Sequence, residues 1–321
     1  MEAKGKLLFL CVGHFGLYKI FEDGFKKFSG CEVETIIYKD YKYKNKKEKI
    51  INFLAKTFLN KNLKKIKGSE MNVSTIAPDA VYDYVFVICP EFLFPKELAY
   101  VTSKGKKSIV YYWDGFEHFP AYIATMKHFD EKFSFDPVDV KKYNLNFITN
   151  FYFAEGRNPN PEYDLFFLGS YDSRFTTIAK IVSAVEKQDK KIVVKIYSDR
   201  LEKVKEQVPE AIEIIDQYIP FEETKELMNK SKIILDIHKD IQHGLSFRVF
   251  EAMGFGKKLI TTNADIVNYD FYDPQNIFIW TEATQSIPEE FLNSPYRELP
   301  QAIYKKYSQE NWVKTVLDLK T

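Results

Sequence analysis

The side chains best suited to chemistry lie in one stretch of the second half of the chain, residues 238–262. Its pattern predicts the end of a strand, a loop, a helix and a second strand. Ser246 is a favourable N-cap for that helix. The unpaired backbone N–H groups of residues 246–249 and the helix dipole then create a site for an anion such as a diphosphate.

Arg248 and Glu251 are three residues apart on this predicted helix and share one face. An arginine grips phosphate oxygens through its forked guanidinium, and a carboxylate accepts hydrogen bonds from ribose hydroxyls. The two residues are therefore candidate contacts for a nucleotide. The alternative is a simple ion pair between them on a surface helix.

Two places in the first half carry candidate groups at the ends of apolar runs. One run ends in a glycine turn at Gly13, His14 and Gly16, which lets the backbone approach a ligand and projects His14 into a cleft. Asp114 and His118 follow another run, where a carboxylate or an imidazole can take the proton of an acceptor hydroxyl. We favour Asp114 as that base, and its alternative role is to cap the following turn. A structural role for His14 also stays open.

Several motifs are absent from the sequence. It has no Asp-x-Asp motif and no cluster of His and Cys, so we expect neither a metal ion nor a cofactor. The charge of an anion bound at this site is then met by Arg248, Arg174, Lys239 and the helix N-terminus. The absence of a G-x-S-x-G sequence and of a Walker A loop excludes α/β-hydrolases and P-loop enzymes.

Length and composition indicate the number of domains and exclude some classes of protein. The chain has 321 residues, enough for two domains of about 150 residues each. It carries 46 Lys and Arg against 45 Asp and Glu, so no overall basic field indicates a nucleic-acid partner. The three cysteines form no CxxC pair and no apolar run is long enough to span a membrane, so we expect a cytoplasmic protein.

Short apolar runs alternate with helical stretches along the chain, which predicts an α/β protein with doubly wound parallel sheets. Two prolines and a glycine interrupt the pattern at residues 153–163, and we place the domain boundary there. Residues 301–319 space their apolar side chains as one closing amphipathic helix. The runs interpreted as strands are residues 7–12, 33–38, 84–88, 108–113, 164–168, 192–197, 232–237 and 258–262.

Residues 39–67 differ from the rest of the chain. They hold eleven lysines against Asp40 and Glu48, together with an apolar stripe. A basic amphipathic helix of this kind lies in the interface of an anionic membrane, with its lysines at the headgroups. The alternative is an ordinary domain helix with a solvated lysine face. The stripe consists of Ile50, Ile51, Phe53, Leu54, Phe58, Leu59, Leu63 and Ile66.

The stretch 238–262 resembles the donor site of bacterial GT-B glycosyltransferases, in particular the group 1 enzymes of lipopolysaccharide and capsule assembly. Those enzymes often carry two glutamates separated by seven residues, the second of which binds the ribose of a nucleotide sugar. Here Glu251 takes the second place, but His243 stands where the first glutamate is expected. The resemblance implies a donor site formed by Arg174, His238, Lys239, His243, Gly244, Leu245, Ser246, Arg248 and Glu251.

The resemblance also implies the architecture and the activity. Two facing Rossmann-like domains with a cleft between them are expected: an acceptor domain at residues 1–154, joined by a C-terminal crossover helix at about 301–321, and a nucleotide-sugar-binding domain at 155–300. The implied reaction is metal-independent transfer of a sugar from a nucleotide diphosphate sugar to a surface glycan or lipid-linked glycan at the inner face of the cytoplasmic membrane. A non-catalytic nucleotide-sugar or glycan-binding protein and a sugar-nucleotide epimerase stay open as alternatives.

Overall fold

A computed structural model describes residues 5–13, 16–199, 204, 208–239 and 242–319 of the chain. Its contacts divide the chain into two compact units. The first unit comprises Met1–Ile148 and Val313–Thr321, and the second comprises Thr149–Trp312. Each unit is built around one parallel β-sheet within the described residues.

The described part of the first unit forms a six-stranded sheet of β1 (Gly5–Val12), β2 (Cys31–Tyr38), β3 (Tyr82–Ile88), β4 (Gly105–Tyr112), β5 (Glu131–Ser134) and β6 (Asn146–Phe147). The strand order is β2-β1-β3-β4-β5-β6, and the strands run parallel. Successive residues of β1, from Leu7 to Leu10, are all fully buried, because both faces of a parallel sheet are covered. The order reverses between β1 and β3, and ligands bind at such a reversal in doubly wound sheets.

The helices of the first unit are α1 (Leu17–Phe28), α2 (Lys46–Leu59), α3 (Leu63–Val73), α4 (Pro95–Thr102), α5 (Tyr122–Thr125) and α6 (Pro137–Tyr143). The basic segment at residues 39–67 therefore contains two helices, and the prediction of a single helix there is wrong. Asn45 caps the start of α2 by accepting the N–H of Glu48 at 3.0 Å. Asn60 ends α2 in the left-handed conformation, with φ of 50°, which stops the helical turn.

The described part of the second unit forms a sheet of β7 (Tyr163–Ser170), β8 (Ile192–Tyr197), β9 (Ile212–Ile215), β10 (Ser231–Asp236), β11 (Lys258–Thr261) and β12 (Ile277–Ile279). The order β12-β11-β10-β7-β8-β9 is that of a Rossmann domain and reverses between β7 and β10. Alternate residues of β7 point to opposite faces: Leu165 and Phe167 pack in one core cluster and Phe166 in another.

The helices beginning in the second unit are α7 (Phe175–Glu186), α8 (Phe221–Asn229), α9 (Phe247–Gly254), α10 (Glu289–Asn293), α11 (Gln301–Lys306) and α12 (Gln309–Val316). The predicted single closing helix is therefore divided. Where α11 ends and α12 begins, the backbone forms hydrogen bonds to Tyr152. The N–H of Tyr152 donates to the Tyr307 carbonyl at 3.0 Å, and the N–H of Gln309 donates to the Tyr152 carbonyl at 3.0 Å.

The predicted fold class, two α/β units with doubly wound parallel sheets, is confirmed. All eight predicted strands are present with shifts of a few residues at their ends. The prediction missed β5, β6, β9 and β12, which are two to four residues long. Strands this short carry few residues for an apolar pattern to stand out, and β11, which is also four residues long, was the exception.

The end of α9 depends on a glycine without a side chain. A Cβ atom at Gly254 would collide with the carbonyl oxygen of Ala154 and lie 2.9 Å from Cβ of Tyr152. We expect Gly254→Ala to lower the free energy of unfolding by about 2 kcal/mol, because backbone and Cβ atoms cannot move aside cheaply. Gly68→Ala, on α3, is the matched control. Its nearest contact is at 3.7 Å, so it should raise stability slightly. Equal effects in urea unfolding would contradict this packing.

Candidate active site

A pocket of about 690 Å³ opens at the carboxyl edge of the second sheet. It lies beyond the ends of β7, β10, β11 and β12, beside the reversal of strand order. Its volume is typical of sites for small ligands and cofactors. The lining residues are Asp172, Ser173, Arg174, Thr177, Ile237, His238, Lys239, Thr262, Trp280, Thr281 and Glu282.

Arg174 is fixed in the pocket wall by a carboxylate and a carbonyl. Its Nε donates to Oδ1 of Asp172 at 2.9 Å and its Nη2 to Oδ2 at 2.7 Å. Nη1 donates to the carbonyl oxygen of Ile237 at 2.9 Å. Burial raises the pKa of Asp172, but the hydrogen bonds and charge of Arg174 outweigh it and hold that pKa below its ordinary value. A guanidinium has five N–H donors, so two have no acceptor among the described residues and can bind an anion.

His238 and Lys239 follow β10 in the same wall. Nδ1 of His238 lies 2.9 Å from the hydroxyl oxygen of Thr262, which also accepts the backbone N–H of His238 at 3.1 Å. These contacts fix the imidazole at the end of the strand. Lys239 is exposed, and its charge helps to lower the pKa of Asp172. Three predicted donor-site residues, Arg174, His238 and Lys239, thus come together in one pocket.

Arg248 and Glu251 lie on α9, and neither is among the described residues that line the pocket. Nη2 of Arg248 donates to the carbonyl oxygen of Leu168 in β7 at 2.7 Å, and its guanidinium carbon lies 4.9 Å from the centre of the Phe167 ring. Nε of Arg248 is buried without a hydrogen-bond partner among the described residues. Because Arg248 reaches the strand instead of Glu251, the two side chains do not form the simple surface ion pair of the alternative interpretation.

The charged groups of this region act on one another. Burial lowers the pKa of Arg248, and the positive charge of Arg174 lowers it further. The negative charges of Asp236 and Glu251 oppose that shift. Burial also raises the pKa of Glu251, against the charges of Arg248 and Lys225. Two guanidiniums therefore share a region near the end of β7 with the carboxylates of Asp172, Asp236 and Glu251.

Ser246 stands at the N-cap position of α9, but its hydroxyl does not cap the helix. It donates to Oδ1 of Asp236 at 2.7 Å, and Thr261 donates to Oδ2 at 3.0 Å. The N–H of Val249 donates to the Ser246 carbonyl at 3.3 Å, so the prediction of unpaired N–H groups throughout residues 246–249 is wrong. Asp236 is 3% exposed and ties the start of α9 to the end of β10.

The loop before α9 contains three more predicted donor-site residues. His243 is exposed, whereas Gly244 and Leu245 are buried. The Leu245 side chain packs in the core of the second unit, and its carbonyl oxygen accepts a hydrogen bond from Nδ2 of Asn150 at 2.9 Å. The core position accounts for the apolar side chain of Leu245. The pocket lining among the described residues does not include these three.

Sequence reasoning missed several residues of the pocket wall. Asp172 lies two residues before Arg174, and that spacing was an available signal for a carboxylate that holds the guanidinium. Trp280, Thr281 and Glu282 follow β12, which is only three residues long and left no strand pattern to mark them.

The first sheet has its own carboxyl edge, where β1 and β3 flank the reversal of strand order. Gly13 follows β1, and Gly16 has a φ of 75° at the N-cap of α1, a conformation that glycine adopts at little cost. His14 lies outside the described residues. Asp114, which follows β4, is half-buried, and His118 is exposed.

Glu91 is a titratable residue at this edge that sequence reasoning missed. It follows β3 in a helical turn, Pro90–Phe92, and its Oε2 atom is buried without a hydrogen-bond partner among the described residues. Burial raises the pKa of Glu91 to about 7, with a smaller contribution in the same direction from the charge of Asp114, while Lys65 opposes both. A carboxyl group with a pKa near neutrality suits general acid–base catalysis. Its place just after an apolar run was the available signal.

Comparison with known proteins finds a family match within the second unit. Residues 176–302 match the family model described as glycosyl transferase-like. The second unit carries a glycosyl transferase-like domain. For this part of the chain, the prediction of a glycosyltransferase is confirmed. No curated protein matches this sequence.

Solved structures resemble the whole chain in fold. Anabaena Alr3699/HepE in complex with UDP and glucose is 13% identical, with a TM-score of 0.51 over 98% of this chain and 100% of that one. This likeness confirms the predicted GT-B fold. The DNA modifying enzyme β-glucosyltransferase is 14% identical, with a TM-score of 0.49 over 98% of this chain and 100% of that one.

The described residues of the glycosyltransferase include no group of three or more His, Cys, Asp or Glu side chains that could hold a metal ion. Among the described residues that line the pocket, Arg174 and Lys239 carry the lysine and arginine charges. Arg248 adds its charge from α9, close enough to Arg174 for the two to interact.

Glu91 should make stability depend on pH. Its pKa rises from 4.5 to about 7 on folding, so the folded state binds the proton more tightly, and stability is lost as pH rises from about 4.5 through about 7. We expect Glu91→Gln to stabilise the protein by on the order of 3 kcal/mol at pH 8, and far less at pH 5. Urea unfolding at both pH values measures this. The exposed Glu117→Gln is the control, and a pH-independent effect of Glu91→Gln would refute the buried carboxyl.

Proposed function

We propose that this glycosyltransferase takes its sugar from a nucleotide diphosphate sugar bound at the pocket of the second unit, without a metal ion. The supporting observation is that two arginines at the reversal of strand order each bond to a backbone carbonyl on the opposite side of the reversal. Arg174, which follows β7, donates to the carbonyl beyond β10, and Arg248, which follows β10, donates to a carbonyl of β7. Arginine stays charged in proteins, so a diphosphate is the ligand that complements this arrangement.

In the proposed transfer reaction, these arginines stabilise the negative charge of the departing diphosphate. When the bond from the anomeric carbon to the diphosphate breaks, negative charge grows on the phosphate oxygens and the sugar becomes oxocarbenium-like. Donors fixed before the reaction stabilise that charge without reorganising. Asp172 and the two strand carbonyls hold the guanidiniums in place, and His238 and Lys239 contribute further polar groups to the same wall.

UDP is the nucleotide that we propose first. The Anabaena structure of similar fold contains UDP and glucose, which supports this choice. In this proposal Glu251 accepts hydrogen bonds from the ribose hydroxyls. Its place on α9, one turn after Arg248, supports that role, because the two side chains then address neighbouring parts of one nucleotide. His243, in the loop before α9, would contact the sugar or a phosphate oxygen.

The acceptor hydroxyl, in this proposal, loses its proton to the pair of carboxyl groups at the edge of the first sheet, Asp114 and Glu91. Burial and, to a smaller extent, the charge of Asp114 raise the pKa of Glu91 to about 7, so this carboxyl group can exchange a proton near neutral pH. Gly13 and His118 flank this edge. We propose a lipid-linked surface glycan of the lipopolysaccharide or capsule type as the acceptor.

Two substitutions on α9 should separate transition-state stabilisation from nucleotide binding. We expect Arg248→Ala to lower kcat by more than about tenfold, because it removes a donor needed as charge develops. Glu251→Ala should mainly weaken UDP binding and leave kcat at saturating donor within about threefold. Steady-state kinetics with UDP-sugars, and UDP titration followed by thermal shift, measure the two effects.

The matched control for Arg248→Ala is Arg297→Ala. Arg297 is exposed and pairs with Asp273 at 3.2 Å, and unlike Arg248 its side chain bonds to no strand of the sheet among the described residues. Its loss should leave kcat unchanged. Excess EDTA should also leave the rate unchanged. Normal turnover in Arg248→Ala, or a rate that EDTA abolishes and Mg²⁺ restores, would contradict the proposed donor site.

A further inference from the structure

Helix α2 packs against its own unit through polar contacts. Its buried residues are Asn52 and Ala55. The Asn52 amide donates to the hydroxyl of Tyr43 at 2.7 Å and accepts the N–H of Lys64 at 3.0 Å. Glu48, half-buried on the same helix, forms an ion pair with Lys67 at 2.8 Å. The inner face of α2 is therefore held by hydrogen bonds and one ion pair.

The large apolar side chains of α2 point away from the unit. Residues two apart on an α-helix are about 200° apart, so Ile50 lies opposite Asn52 and Phe53 lies opposite Ala55. Phe53 is 66% exposed and Phe58 is 76% exposed. Contiguous apolar surface of this kind marks an interaction site on a folded protein. The exposed apolar residues of the helix are Ile50, Ile51, Phe53, Leu54, Phe58 and Leu59.

Lysines surround this apolar face, and acidic residues are scarce. Residues 39–67 contain eleven lysines against two acidic residues, and one of those, Glu48, is already paired. The chain as a whole carries a net charge of only +1, so the positive charge is local to this segment. The exposed lysines are Lys39, Lys42, Lys44, Lys46, Lys47, Lys49, Lys56, Lys61 and Lys65.

We propose that α2 docks the protein on an anionic lipid bilayer, with its phenylalanine, leucine and isoleucine side chains in the acyl boundary and its lysines at the headgroups. A bilayer with negative headgroups complements both properties of this face. A second copy of the face would bring two lysine clusters together and is repelled. Nucleic acid would pair with the lysines but leave the apolar side chains in water.

Docking through α2 is independent of the donor pocket, because α2 belongs to the first unit and the pocket to the second. Among the described residues, no helix has the length and the apolar run needed to cross a bilayer. The proposed attachment is therefore peripheral and should weaken as salt screens the lysines.

Co-sedimentation of the full chain with vesicles tests this. We expect binding to phosphatidylcholine vesicles that contain roughly one-third phosphatidylglycerol, and little binding to pure phosphatidylcholine. The double variant Phe53→Ser, Phe58→Ser should reduce the partition coefficient by about tenfold or more, because two aromatic side chains no longer enter the bilayer. Val81→Ser with Val138→Ser is the matched control, since both valines are exposed elsewhere in the first unit. UDP binding should be equal in all three proteins.

Three results would overturn the proposal. The first is that the wild-type chain fails to sediment with anionic vesicles. The second is that the Phe53→Ser, Phe58→Ser variant sediments as the wild type does. The third is that this variant loses self-association or DNA binding while neither protein binds vesicles. Because UDP binding is measured in the same samples, a failure of the donor site is distinguished from a failure of docking.

Discussion

Two guanidiniums that each bond across the reversal of the second sheet are the constraint on which the proposed donor site depends. Arg174 and Arg248 each bind a backbone carbonyl at the other's strand, so the ends of β7 and β10 are joined by side chains as well as by the sheet. Their charges repel, and the positive charge of Arg174 lowers the pKa of Arg248. The carboxylates of Asp172, Asp236 and Glu251 offset that repulsion, and the N–H donors of Arg174 that have no acceptor among the described residues are what the site offers to a diphosphate.

Rigid elements surround this charge. Asp236 binds Ser246 and Thr261 and thereby fixes where α9 begins, while Gly254 lets the end of the same helix pack against the backbone of Ala154. Arg248 is thus held on a helix fixed at both ends. The first unit offers a different chemistry at the matching edge of its sheet, where burial and Asp114 raise the pKa of Glu91. The carboxyl edge of the second sheet is suited to binding an anion, and that of the first sheet is suited to proton transfer.

The sequence predicted eight of the strands because buried parallel strands are continuous apolar runs. The resemblance to GT-B glycosyltransferases implied Arg174, His238 and Lys239, which line one pocket. It did not reveal β12, and Trp280 was missed with it. The bond from Arg248 to Leu168 joins residues 80 apart in sequence and depends on the sheet order, and the bond from Ser246 to Asp236 depends on the path of the loop between them. The apolar stripe of α2 was visible, but its exposure depends on which face packs.

The most direct test of the central claim is isothermal titration calorimetry of UDP and of uridine in the presence of EDTA. If the paired arginines form the diphosphate site, UDP should bind at least about a hundredfold more tightly than uridine, since charge-assisted hydrogen bonds to phosphate oxygens are the strong ones. Equal affinities for the two ligands would show that the phosphates make no such contact and would contradict the account.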